Sequence, residues 1–372
     1  MTIYVGSLKF SPVFKSHCCA FGKACERKGY SVKYLFSHEY EWMLPAEIKE
    51  KTVFIGHSTS IFSMLQDSLS PKYKKRINEI FSKDRPTAIY MHNYHFLNNY
   101  IAKLSRKNKC CFIYHVHEPY VVGKKAHGGF HQYWLHLFEH CQGSLLDNAD
   151  VAIVSSKEAS SLFDLRYPHF SGRKMLIPLL YEDLGEAETC RESRSFVTFI
   201  GPPVPAKNPE KFIDMVKHSN SRNLNLKFLL ISRSGLENSK YFGMGNLQIF
   251  SHKRLSDKDF GRLIRQSIVV ITPYKRETQS SGILTSYMYG TPVISSNVGG
   301  LPEFVSEGET GYLLSLKEDT SEWVERVIRV QENFPKLSHN SRNYFTQNFS
   351  GKNWKNYLDE LLLPDVGRLV SQ

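Results

Sequence analysis

The stretch from Ile271 to Leu314 leaves this chain the fewest choices of fold. Ser267 to Thr272 (Ser-Ile-Val-Val-Ile-Thr) is an unbroken, largely β-branched run, the pattern of a strand covered on both faces of a parallel sheet. Pro273 ends it. Ser280 and Ser281 stand where a helix N-cap is expected. The helix runs to Tyr289, Gly290 stops it, and Pro292 follows closely. Pro292 to Ser296 returns as a second strand, and Gly299-Gly300 turns the chain ahead of Glu303. Two buried strands joined through a helix form a βαβ unit, which points to the α/β class.

A strand that feeds a helix N-terminus through small residues is an anion site, because free N–H groups and the helix dipole both face the loop. Gly282 lets a phosphate approach the main chain. Glu277 lies about one turn earlier, over that site. A nucleotide-diphosphate sugar suits both features, with phosphates on the amides around Ser281, Gly282 and Ile283 and sugar hydroxyls on the carboxylate.

This stretch resembles the donor-site motif of the GT-B glycosyltransferases of family 4, the retaining nucleotide-sugar transferases (glycosyl transferases group 1). Glu277 matches the first of the family's two spaced glutamates. Gly290, Pro292, Val293 and Ile294 match its helix end. Gly299, Gly300 and Glu303 match its turn, and Gly308 with Gly311 its last glycine pair. Thr285 stands where the second glutamate, a ribose contact, is usual; it offers one oxygen and no charge. Gly201 to Asn208 resembles the family's diphosphate loop. Lys207 aligns with its lysine, but Pro202 replaces its arginine. Arg233, Lys275 and Arg276, on neighbouring loops, are candidates to supply the missing charge. His117 matches a histidine that in many relatives faces the transferred sugar.

The resemblance implies two Rossmann-like, doubly wound domains facing a cleft. At 372 residues the chain also exceeds what one core usually fills. The expected division is 1–185 for an acceptor-side domain and 195–345 for a nucleotide-sugar domain. A helical tail, 346–372, is expected to pack back on the first. Tyr181 to Ser195, where the apolar pattern lapses, reads as a linker. In the first half, strands are expected at Thr2–Val5, Val32–Phe36, Val53–Ile55, Thr87–His92, Cys110–Val116, Val151–Ser155 and Leu176–Leu179. In the second they are expected at Phe196–Ile200, Lys227–Ile231 and Leu247–Phe250. Helices are expected between them, with an amphipathic one over Phe345 to Leu363.

Other candidates weigh less. His92, His95, His115 and His117 cluster near two strand ends, but no carboxylate pair is spaced with them, so no metal is assigned. Asp257-Lys258-Asp259 reads as helix capping behind Ser256 rather than as a metal motif. Seven cysteines include two adjacent pairs, a poor disulfide framework that fits a reducing compartment. No apolar run approaches the ~20 residues of a membrane span, and the first residues read as a strand rather than a signal peptide. The net charge of +12 fits phosphates or an anionic membrane face. Its basic runs, Lys72, Lys74, Lys75, Arg76 and Lys103, Arg106, Lys107, Lys109, belong to no nucleic-acid module.

The expectation is therefore a cytoplasmic glycosyltransferase, retaining and without cofactor or metal. Glu277 and His117 are its catalytic candidates. Lys207, Gly201, Ser281, Gly282, Ile283 and Thr285 bind the donor, with Arg233 and Arg276 near its phosphates. The acceptor is a saccharide or a lipid-linked saccharide, and contact with an inner membrane face is open. A nucleotide-sugar epimerase of the same architecture, and a non-catalytic nucleotide-sugar-binding subunit, remain alternatives.

Overall fold

The computed structural model describes residues 1–119, 131–185, 194–233 and 243–362. The chain forms two units. The first is Met1–Glu182 joined by the segment that starts at Ser350; the second is Asp183–Phe349.

The first unit holds seven parallel strands: β1 (Thr2–Ser7), β2 (Ser31–Phe36), β3 (Thr52–Phe54), β4 (Ala88–His92), β5 (Cys111–His115), β6 (Val151–Val154) and β7 (Arg173–Leu176). Their order is β3-β2-β1-β4-β5-β6-β7. Alternate residues feed two cores, one on each face. Tyr4, Phe112, Tyr114 and Ala152 pack with Met64, Ile77, Leu97 and Ile101. Ile3, Val5, Ile113 and Ile153 pack with Cys18, Phe21, Ala24 and Cys25 of the Pro12–Arg27 helix. Trp354, Leu358 and Leu361 complete this second core, with the Trp354 ring edge-on to Phe21 at 4.9 Å. The buried cysteines serve here as small apolar side chains.

The second unit holds six parallel strands: β8 (Phe196–Ile200), β9 (Lys227–Ser232), β10 (Leu247–Ser251), β11 (Ser267–Thr272), β12 (Val293–Ser296) and β13 (Gly311–Leu314). Their order is β10-β9-β8-β11-β12-β13. In both sheets the order reverses at one place, between β1 and β4 and between β8 and β11. In such sheets ligands bind beyond the carboxyl ends of the strands at that reversal.

Several elements depart from expectation. The strand expected at Leu176–Leu179 is displaced to Arg173–Leu176, because Pro178 has no N–H for a ladder and the apolar run beyond it is buried as loop. The Ile61–Leu69 helix, opened by a Ser60–Ser63 capping box, and β13 were not foreseen. The amphipathic helix expected over Phe345–Leu363 is broken. Phe334–Asn348 forms one helix, then Gly351–Asn356 a 3-10 turn and Leu358–Leu362 a short helix. The break is tertiary: the Gly351 amide donates to Tyr181 O at 2.6 Å, and a β-carbon there would lie 2.8 Å from the Ala20 side chain. Of the linker stretch, 186–193 lies outside the described residues.

Candidate functional site

The second unit assembles its site from two loops at the β8/β11 reversal. After β8, Gly201 turns with φ +113°, and a β-carbon there would sit 2.7 Å from the Lys207 Nζ. Glycine is what lets the lysine head fold back over the strand end. Lys207 closes a 3-10 turn, Pro205–Lys207. The Lys275 amide donates to Ala206 O at 2.8 Å and ties this turn to the loop after β11. Tyr274, on that loop, is buried, and the Lys207 ammonium lies 4.9 Å from its ring centroid. Ser296 fixes the loop by donating to Tyr274 O at 2.6 Å.

Glu277 completes the corner. Its backbone is held by the double-glycine turn: the Gly300 amide donates to Glu277 O at 3.0 Å. Gly299 has φ +52°, and a β-carbon there would come within 2.3 Å of the same oxygen. Burial raises the Glu277 carboxyl, the Lys207 charge opposes that, and the net is a pKa pushed up to about 7. On Lys207, burial works against the charge, but Tyr274 and Glu277 outweigh it and the net shift is upward.

The Ser281–Met288 helix starts beside this corner. Ser280 caps it by accepting from the Ile283 amide at 3.4 Å. The amides of Ser281 and Gly282 belong to the first turn, where no intrahelical acceptor exists. Gly282 is buried, and a β-carbon there would meet Tyr274 Oη at 3.2 Å. Thr285, half-buried, donates its hydroxyl to Ser281 O at 2.7 Å; its oxygen can still accept.

The phosphate candidates divide. Arg276 is exposed and adjoins Glu277. Arg233 is engaged elsewhere: it pairs with Asp257 at 2.8 Å and stacks 4.3 Å over the Phe260 ring. Ser256 does cap the following helix, its hydroxyl accepting from the Asp259 amide at 3.1 Å.

In the first unit, His117 follows β5, half-buried, its ring 4.9 Å from Phe14 and 5.7 Å from His92. Burial, then the nearby His17 and Lys9, push its pKa down to about 3. His115 is fully buried between Tyr90 Oη at 2.6 Å and Ser155 Oγ at 2.7 Å. His92 stacks on His17 at 4.9 Å. His95 is a helix cap, its Nδ1 accepting from the Leu97 amide at 3.1 Å. Among the described residues no three His, Cys, Asp or Glu side chains come together as a metal ion requires. Tyr274, His17 and Lys9 were not singled out in the sequence. A tyrosine two residues past a strand end, and a histidine on an otherwise apolar helix face, were the available signals.

Two doubly wound parallel sheets are the fold of the GT-B glycosyltransferases. A sucrose-phosphate synthase from Thermosynechococcus elongatus superposes with a TM-score of 0.69 at 17% identity, covering 97% of each chain. HepE of Anabaena, solved with UDP-glucose, gives 0.69 at 14% identity, covering 97% of this chain and 99% of its own. Within that fold, residues 182–348 match the family model described as glycosyl transferases group 1. The D-inositol 3-phosphate glycosyltransferase of Corynebacterium efficiens is 26% identical over 216 residues, 51% of this chain and 50% of the relative. That of Corynebacterium glutamicum is 28% identical over 200 residues, 47% of each. The chain spans about half the length of the curated relatives it matches.

Proposed function

We propose that this chain transfers a sugar from a nucleotide-diphosphate sugar to a saccharide or lipid-linked saccharide, with retention of the anomeric configuration. The observation that carries the reading is the Lys207–Glu277 corner beside the start of the Ser281–Met288 helix. A diphosphate leaving group gains charge as the glycosidic bond breaks. Lys207 and the first-turn amides stabilise that charge, and Arg276 adds to it from the loop. This is the work a divalent metal does in other transferases, and here the chain's own cations and amides are assigned it. Glu277 accepts hydrogen bonds from the sugar hydroxyls and stabilises positive charge developing at the anomeric carbon. His117, held neutral, is assigned to the sugar as a hydrogen-bonding partner. The names of the relatives and the UDP and UDP-glucose complexes of HepE support the donor class. Retention rests on the family resemblance, and a cytoplasmic location belongs to the same reading. Among the described residues no helix is long and apolar enough to cross a membrane.

The test is a panel of nucleotide-diphosphate sugars with the full chain and its Glu277→Gln variant, with and without chelator. The expected result is donor binding that survives chelation. Turnover should fall by roughly two or more orders of magnitude in Glu277→Gln at little change in donor affinity. Equal turnover by both proteins overturns the role of Glu277. The Thr285 and Pro202 departures favour the non-catalytic reading, which predicts binding with no transfer across the panel. Donor epimerised without any acceptor identifies an epimerase.

A further inference from the structure

We propose that the face of the first unit built by the Ile61–Leu69, Pro71–Glu79 and Phe96–Lys107 helices docks on an anionic lipid bilayer. Charge is the first observation. Residues 57–109 hold ten lysines and arginines against three acids, which is +7 of the chain's +12. Two of those acids do little to offset the basic face, since Asp67 is buried and Asp84 pairs with Lys33 at 2.7 Å. Lys72, Lys75, Arg76, Lys103, Arg106 and Lys107 are all exposed. Among the described residues no carboxylate pairs with any of them. The two basic helices are tied together, with Lys74 lying 5.8 Å over the Tyr100 ring and Tyr100 Oη donating to Asn78 at 3.1 Å. Tyr100, Lys103 and Lys107 then share one stripe of their helix.

The second observation is apolar. Phe62 is 60% and Leu69 is 69% exposed. Seven residues apart, they lie on one stripe of the Ile61–Leu69 helix, about 10 Å from end to end. Leu69 is three residues before Lys72, across Ser70, which ends one helix and begins the next. Like charges without carboxylate partners repel and two bare apolar side chains meet water, so the clustering of these basic and apolar side chains costs the unit stability. Apolar anchors set among basic residues suit a surface that offers negative headgroups above hydrocarbon. A nucleic-acid backbone would satisfy the charges but offers no apolar volume for Phe62 and Leu69. The docking stands without the proposed activity. Resting on that activity is one consequence: Phe62 is on the first turn of the helix that follows β3, at the carboxyl end of the sheet that also carries His117, where an acceptor anchored in the same bilayer would arrive.

Co-sedimentation of the full chain with phosphatidylcholine vesicles, with and without phosphatidylglycerol, tests this. Wild type is expected on the anionic vesicles only, and to be released by salt. Each basic residue near the surface is worth roughly fivefold in partitioning. The Lys72→Glu, Lys75→Glu, Arg76→Glu triple variant should therefore lose more than about a hundredfold. Phe62→Ser with Leu69→Ser should lose roughly tenfold or more. The same change of charge in the second unit, Lys217→Glu, Lys227→Glu and Arg329→Glu, should lose far less. All these positions are exposed, and an unchanged melting transition verifies folding. Equal binding to neutral vesicles, or an equal loss from the second-unit triple, overturns the proposal. So does a first-unit triple that keeps vesicle binding while losing affinity for a DNA duplex.

Discussion

At the carboxyl ends of β8 and β11, a half-buried lysine and a half-buried glutamate share a corner. Beside the matching reversal in the other sheet, at the ends of β4 and β5, the buried titratable groups are imidazoles. The two units solve one problem in two ways. An isolated charge removed from water costs several kcal/mol. In the second unit Lys207 stays charged with help from Tyr274 and Glu277, and its charge in turn limits the rise of the Glu277 carboxyl to about 7. The first unit gives charge up at its histidines: burial lowers His17 and His95 to about 4 and His117 to about 3. A corner that holds a charged lysine is ready to bind and stabilise an anionic group. A neutral imidazole cluster is ready to hold rings and hydroxyls in place. The proposed function uses that difference, assigning the diphosphate to the charged lysine and the sugar hydroxyls to neutral imidazole.

The harshest way to break the corner is Gly299→Val. Left-handed backbone at a β-branched residue costs about 1–3 kcal/mol, and the clash with Glu277 O adds to it. Turnover should fall by two or more orders of magnitude, with a measurable loss of stability in denaturant. Gly308→Ala, where φ is +70° with open space around the β-carbon position, isolates the backbone effect and should leave turnover near wild type. Wild-type kinetics from Gly299→Val would detach the double glycine from the site.

Next in size is Lys207→Ala. A charge-assisted contact is worth roughly 1.5–3 kcal/mol, so nucleoside-diphosphate affinity should fall roughly tenfold to a hundred-and-fiftyfold, while a free nucleoside binds almost unchanged. Without the lysine the Glu277 carboxyl should titrate higher still, because Lys207 is the charge that holds it down. The acid limb of kcat/KM, expected near pH 7 in wild type, should move up. Calorimetry and a pH–rate profile report the two effects, and an unmoved limb would mean that the two groups do not interact.

The last effect is a difference of sign, spread over several pH units. His17 and His95 have native pKa values near 4, below the unfolded value of about 6.5. Between these limits the unfolded chain takes up protons that the native state refuses. The stability tied to them is present above about pH 6.5 and is lost as pH falls toward 4, by about 1.4 kcal/mol per unit for each histidine. Glu277 is raised instead. Its contribution is present below the ordinary carboxylate pKa and lost as pH rises through about 7. Denaturant melts across this range should show the histidine slope flattened in His17→Phe, and an opposing slope removed in Glu277→Gln.

Much of the second unit was legible because its signals are local. Ser267–Thr272, the Ser280 cap and the double glycine each lie within a few residues of what they organise. The corner itself was only half legible. Lys207 and Glu277 could each be named, but the Lys275 to Ala206 bond that brings their loops together leaves no mark in either segment. The histidine cluster was less legible still. His17 lies on the first helix, and its Nδ1 partner, Leu180 O at 2.9 Å, comes 163 residues later. Arg233 shows the converse, since its pairing with Asp257 is a tertiary choice invisible in its own loop. The displaced β7 and the broken tail have the same origin: burial against distant residues overrode a locally apolar pattern.

Trp354 is needed to close the core of the first unit, yet it follows the whole of the second. The first unit is therefore discontinuous in the chain, and the second is an insertion within it. On a ribosome, the face formed by Phe21, Ala24 and Cys25 waits uncovered while Asp183–Phe349 is made, on the order of ten to thirty seconds at ordinary rates of synthesis. The second unit, contiguous in sequence, can finish folding in that interval. The nascent first unit meanwhile presents an apolar surface that chaperones can engage until Trp354, Leu358 and Leu361 seal it.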